Sequence, residues 1–167
     1  MKSFNVKDGL AIKKLLKINQ KYIINKLSNY KVIIVGKGLP LEILKSNPNI
    51  IYYRYLKKGR LNKLLISSKF ILAPLIKSPG TKIKIIETLI MGVPLIVSSD
   101  GMIGIKIFKK SNYPLIYNND KDLIKKIYFL NKNYKKYVSG IKKAQMDYKN
   151  YYSMKNIIKK FIYENNI

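Results

Sequence analysis

The stretch Ala73-Pro74-Leu75-Ile76-Lys77-Ser78-Pro79-Gly80-Thr81-Lys82-Ile83-Lys84-Ile85-Ile86-Glu87-Thr88-Leu89-Ile90-Met91-Gly92-Val93-Pro94-Leu95-Ile96-Val97 decides how this chain is read. An apolar strand over residues 70–75 runs into a turn at 77–80. A helix is expected over 81–91, with Ile83, Ile86, Leu89 and Ile90 on one face. Gly92 is placed to end it, and Pro94 opens a strand over 94–98. A strand that passes through a glycine turn into a helix presents free amides at the positive end of the helix dipole, and these attract an anion. Gly80 has no Cβ to hold a phosphate off the backbone. Thr81 can cap the helix or donate its hydroxyl, and Lys82 adds a point charge. Glu87, six residues past Thr81, is a carboxylate in a largely apolar helix, and a vicinal diol is a natural partner for it. An ordinary strand-turn-helix with Glu87 on its solvated face has the same periodicity.

Outward from this segment the alternation continues. Residues 31–35 form a β-branched run that ends at the turn Gly36-Lys37-Gly38, and 50–53 is another strand. Residues 113–117 give one more. Between and after the strands lie amphipathic helices at 10–30, 61–68, 121–130, 134–148 and 153–163, and a short one at 40–45. Asn119 or Asp120 caps the 121–130 helix and Ser153 the last one. Ser99-Asp100-Gly101 reads as a loop. Strands alternating with helices imply an α/β fold, a Rossmann-like parallel sheet with helices on both faces, in which residues 32–35, 71–75 and 95–97 should be buried. Ligands of such sheets sit at the carboxyl ends of the strands, so the turns after Val35, Leu75 and Ser98 are where a site is expected. Residues 1–167 read as one domain.

Composition narrows the chemistry. There is no Cys and no His, which removes thiolate and imidazole metal ligands, the Cys nucleophile and the commonest neutral-pH base. No metal site and no cofactor are expected. The segment from Met1 to Asp8 has no signal-peptide run, and Lys interrupts the apolar stretches before any could span a membrane. The net charge is +26, from 34 Lys+Arg against 8 Asp+Glu. Only Arg54 and Arg60 are arginine, leaving 34 − 2 = 32 lysines. Lys, Ile, Asn and Tyr all have A+T-rich codons, so the charge reads as the product of an A+T-rich genome. Arg, the residue of bidentate phosphate and guanine recognition, is nearly missing, and Tyr is scattered rather than interleaved with Lys. Nucleic acid is therefore disfavoured as a partner. The charge still attracts nucleotide diphosphates and anionic lipid.

The run Gly80-Thr81-Lys82, followed by Ile86-Glu87-Thr88-Leu89-Ile90-Met91-Gly92-Val93-Pro94-Leu95-Ile96, resembles the donor-site signature of the glycosyltransferase group 1 superfamily. These are GT-B transferases built of two Rossmann-like domains, mostly retaining. The spacing from Glu to Gly to Pro matches without a gap. Val32-Ile33-Ile34-Val35-Gly36-Lys37-Gly38, Asn49-Ile50-Ile51 and Asp100-Gly101-Met102-Ile103-Gly104-Ile105 are also family-like, and the likeness covers roughly residues 5–162. The resemblance implies that this chain is the C-terminal, donor-binding half. Gly36, Gly38, Gly80, Thr81, Lys82 and Glu87 would bind a nucleotide-diphosphate sugar donor, with the helix-start amides and Lys82 at its diphosphate and Glu87 at its ribose. Two departures stand out. Pro79 occupies the place of the first Glu of the family's Glu-x7-Glu motif, and an N-terminal acceptor domain is expected to be absent. A separate acceptor-domain chain is then the expected partner. Contact with anionic membrane would put the protein in the cytoplasm, at a membrane's inner face. The competing readings are a truncated, inactive remnant of such an enzyme, a phosphorylase- or epimerase-like relative of the same fold, and a basic nucleic-acid-binding protein. Catalytic residues are not legible.

Overall fold

Short β-branched runs make the strands, and Lys-studded amphipathic runs make the helices. In the computed structural model the described residues are 16, 30–36, 39, 44–45, 47–76, 82–108, 112–153 and 156. They form β1 (Val32–Val35), β2 (Ile50–Tyr53), α1 (Lys58–Ser67), β3 (Ile71–Ala73), α2 (Ile83–Met91), β4 (Leu95–Ser98), α3 (Ser99–Met102), β5 (Leu115–Tyr117), α4 (Asp120–Lys132) and α5 (Tyr134–Tyr151). The chain divides into two compact units, Met1–Leu64 with Pro74–Ile76, and Leu65–Ala73 with Lys77–Ile167.

The first unit holds the β1–β2 pair, which is parallel with Val32 opposite Ile50 and Val35 opposite Tyr53. Gly36 continues the ladder, its amide donating to the Tyr53 carbonyl at 3.0 Å. The Tyr52 hydroxyl donates to the Gly36 carbonyl at 2.6 Å. The expectation that 32–35 would be buried fails, because Ile33 is 38% exposed and the other three residues of β1 are half-buried. Among the described residues β1 pairs with β2 alone.

The second unit carries the larger sheet, in the order β3–β4–β5, all parallel. β4 is central, and Leu95, Ile96 and Val97 are fully buried, as expected of a middle strand covered on both faces. β3 is shorter than the 70–75 reading and only Ala73 is buried on it. α4 packs on β4 and β5, and α2 packs against α5. Leu123, Ile127 and Leu130 of α4 and Tyr137, Ile141, Ala144 and Tyr148 of α5 complete the core.

Several local expectations need correction. The buried stripe of α2 is Ile85, Thr88 and Leu89, not Ile83-Ile86-Leu89-Ile90. Ile83, in the helix's first turn, is 59% exposed. Residues 99–101 are helical rather than loop, because the Ser98 side chain accepts from the Gly101 amide at 3.2 Å and caps α3. α1 begins three residues before the 61–68 reading and has no buried residue. α5 runs three residues past 148. Asn119, not Asp120, caps α4 through the Asp122 amide. Ser153 accepts from the Asn156 amide as a cap should. The expected helix over 10–30 lies outside the described residues, apart from Leu16 and Tyr30, and so does most of 40–45.

Candidate functional site

Parallel pairing sends the carboxyl ends of β3, β4 and β5 to one edge of the second unit's sheet. Three helices start from that edge: α2, α3 and α4. Two of them are closed by side chains. Ser98 caps α3, and Asn119 caps α4, whose first turn also carries Asp120 and Asp122. Those carboxylates complement the positive end of the α4 dipole. α2 differs. Its N-cap is Lys82, with φ −85 and ψ 60, no side chain caps it, and its first turn has no acid. Its positive end is thus offset by no carboxylate of its own first turn and is flanked by a lysine, the arrangement an anion would meet favourably.

Glu87 sits five residues beyond Lys82 on the same helix, about 7.5 Å along the axis. It is half exposed, and its Oε2 accepts from Lys84 Nζ at 2.8 Å. An i,i+3 pair this exposed contributes less than about 1 kcal/mol, so it does not commit Glu87 to Lys84. Of the residues singled out in the sequence, Lys82 and Glu87 therefore share one helix. Gly36 lies in the first unit, at φ 151. Gly38, Gly80 and Thr81 lie outside the described residues.

The sequence reading missed a polar group at the ends of β4 and β5. Tyr117, the last residue of β5, is buried. Burial raises its hydroxyl pKa to about 12, the Asp120 and Asp100 charges add to the rise, and a hydrogen bond with Ser98 opposes it. The available signal was Ser98, three residues before Gly101 at the end of a strand. Gly101 itself is required by packing: a Cβ there would lie 2.6 Å from Val97 Cγ2 and 3.2 Å from Ile85 Cδ1. α3 can therefore leave β4 only if this position is bare. Among the described residues no group of three His, Cys, Asp or Glu could hold a metal ion. Nor is any described helix long and apolar enough to cross a membrane.

A family model described as "Glycosyl transferases group 1" matches residues 9–133, which include β1 to β5 and the whole Lys82–Glu87 helix. The chain belongs to that family, its fold is that of a Rossmann-like half of a glycosyltransferase, and its role lies in glycosyl transfer from a sugar donor. No curated protein matches it.

Proposed function

We propose that residues 1–167 act as one donor-binding domain, taking the nucleotide-diphosphate sugar of a glycosyl transfer whose acceptor-binding half comes from a separate chain. The observation that carries this is the start of α2. It is the one helix leaving the carboxyl edge of the three-stranded sheet, among the described residues, that has neither a side-chain cap nor a first-turn acid, and Lys82 stands at it. In this reading the diphosphate meets the α2 amides with Gly80, Thr81 and Lys82, and Glu87 accepts hydrogen bonds from the ribose diol. The protein works in the cytoplasm, where its +26 charge draws it to anionic membrane at the inner face. Pro79, where relatives carry a carboxylate to the sugar, leaves sugar recognition to other groups.

Calorimetric titration of the full chain with UDP and GDP, at low and moderate salt, tests the reading. Saturable binding of either nucleotide is the expected result. A chain that binds neither, yet binds random duplex DNA tightly, is a basic nucleic-acid binder instead. Nucleotide binding with no turnover in the presence of any acceptor-domain chain marks an inactive remnant.

A further inference from the structure

A groove of about 450 Å³ opens on the other side of the second unit, lined by residues of the β5 entry, the end of α4 and α5 as far as Asp147. Asn112 and Tyr113 precede β5, and α4 runs back from the carboxyl edge, so the groove lies at the amino edge, away from Lys82. Its volume falls within the roughly 300–1,000 Å³ of small-molecule sites.

We propose that this groove binds a single-chain amphiphile with an anionic head, lying along the α4–α5 seam with its head at the lysine rim. The inference is independent of the donor-site reading. The floor is apolar by construction. Tyr113 sends its hydroxyl inward, donating to the carbonyls of Val93 at 2.9 Å and Thr88 at 3.2 Å. Tyr137 donates to the Asn112 carbonyl at 3.3 Å. Both phenols thus have backbone partners. Tyr113 and Ile141 are 2% exposed and Tyr137 8%, so they back the groove from beneath, and Phe129 gives it its open apolar surface. Phe129 meets Tyr137 edge-on, with centroids 6.2 Å apart, and remains 42% exposed.

Gly140 supplies the second observation. It lies inside the 18-residue α5, where glycine is less favourable than alanine, yet a Cβ there would meet nothing within 4 Å. No neighbour requires a bare position, so helix packing does not explain it. An open groove does, because a larger side chain at 140 would project into it. The rim sets the head group. Lys136 and Lys143 stand seven residues apart on the same face of α5, both exposed, and neither has an ion-pair partner among the described residues. Asp147, at the far end of the groove, disfavours an anion there and biases the head toward Lys136 and Asn133. Two unpaired lysines beside an aromatic floor favour a molecule that is apolar over most of its length and negative at one end.

The test is calorimetric titration of the full chain with dodecyl phosphate below its micelle concentration. Controls are dodecyl maltoside, inorganic phosphate and vesicles of anionic phospholipid. Saturable one-to-one binding of dodecyl phosphate is expected, weakened at least about tenfold by Gly140→Leu, whose side chain would occupy the groove. Lys136→Gln with Lys143→Gln should weaken it by about tenfold as well and flatten its salt dependence. If Gly140→Leu loses its native circular dichroism, the lysine double variant decides alone. Equal affinity in that double variant, or equal affinity for the neutral maltoside, overturns the proposal. Binding to vesicles without binding to monomeric dodecyl phosphate also overturns it, in favour of a flat membrane-contact face.

Discussion

Gly92 lies directly beneath Gln145: a Cβ on Gly92 would sit 2.6 Å from the Gln145 side-chain carbonyl carbon. Gly92 is also left-handed, at φ 68, where it closes α2. Gln145, from α5, uses the space to donate to the Ile90 carbonyl at 3.0 Å, satisfying one of the open carbonyls at the end of α2. One glycine therefore ends a helix and lets α5 hold that end. Gly92→Ala should destabilise the second unit by roughly 1–3 kcal/mol, combining left-handed strain with loss of the Gln145 bond. In a Gln145→Ala background the steric part vanishes, and Gly92→Ala should cost only about 1–2 kcal/mol. Urea unfolding of the four proteins measures the difference. Additive losses would show that the two residues do not compete for that space.

Tyr113 has a similar role across the sheet. Its buried hydroxyl donates to Thr88 near the end of α2 and to Val93 before β4. Tyr113→Phe keeps the ring and removes both bonds, leaving two carbonyls short of a donor. A loss of about 1–3 kcal/mol is expected. Unchanged stability would mean that water satisfies both carbonyls.

How much of this was legible depended on whether a signal was local. The spacing from Glu87 to Gly92 to Pro94, the Gly92 stop and the central strand at Leu95 to Val97 follow from the sequence, because chain chemistry alone sets a glycine C-cap and a fully apolar strand. The buried face of α2 was not legible. Five of the eight positions from Ile83 to Ile90 are apolar and they are not confined to one narrow stripe, so periodicity does not distinguish Ile83 from Ile85, and tertiary packing settled it. β1 looked like a core strand because its residues are β-branched, but burial depends on what covers a strand, which four residues do not encode. The Ser98–Tyr117 contact joins two strands, and no local rule connects residues nineteen positions apart. On the proposed donor side, Lys82 and Glu87 were singled out by motif, while the absence of a side-chain cap on α2 became meaningful only beside the capped α3 and α4.

The buried tyrosines make stability depend on alkaline pH. Burial is the main cause that lifts Tyr117 and Tyr148 to about 12 from an ordinary 10. Tyr113 and Tyr137 are raised further by the same cause. A pKa raised in the folded state means that folding favours the neutral phenol. That stabilisation is complete below pH 10, and it is lost as pH rises from about 10 through about 12. Comparing wild type with Tyr117→Phe cancels the lysine titration common to both. Their stability difference should be constant from about pH 7 to 9 and should shift in favour of the Phe variant above about pH 10. A difference independent of pH up to 12 would place the Tyr117 hydroxyl in contact with solvent.

The ion pair between Lys84 and Glu87 gives the sharpest test of the donor site. Two roles compete for the Glu87 carboxylate: a surface pair on α2, or a ribose acceptor that rests on Lys84 when no donor is bound. Both predict a small effect of Glu87→Gln on stability, less than about 1 kcal/mol. They differ on ligand binding. If Glu87 accepts from two ribose hydroxyls, those bonds are charge-assisted, and Glu87→Gln should weaken UDP or GDP by roughly 1–2 kcal/mol, or about five- to thirtyfold. Lys84→Ala should then leave affinity unchanged or improve it slightly, because it frees the carboxylate. Lys82→Ala should also weaken binding, but through a point charge near the phosphates, so its effect should shrink as salt is added. Salt should leave the Glu87 effect nearly intact, since hydrogen bonds to a neutral diol release no counterions. Calorimetry on the three variants at two salt concentrations separates these patterns. If Glu87→Gln leaves nucleotide affinity untouched while Lys82→Ala reduces it, the phosphate turn stands and the ribose assignment falls. If Glu87→Gln instead strengthens nucleotide binding and that gain fades with salt, Glu87 acts on the ligand only through its negative charge.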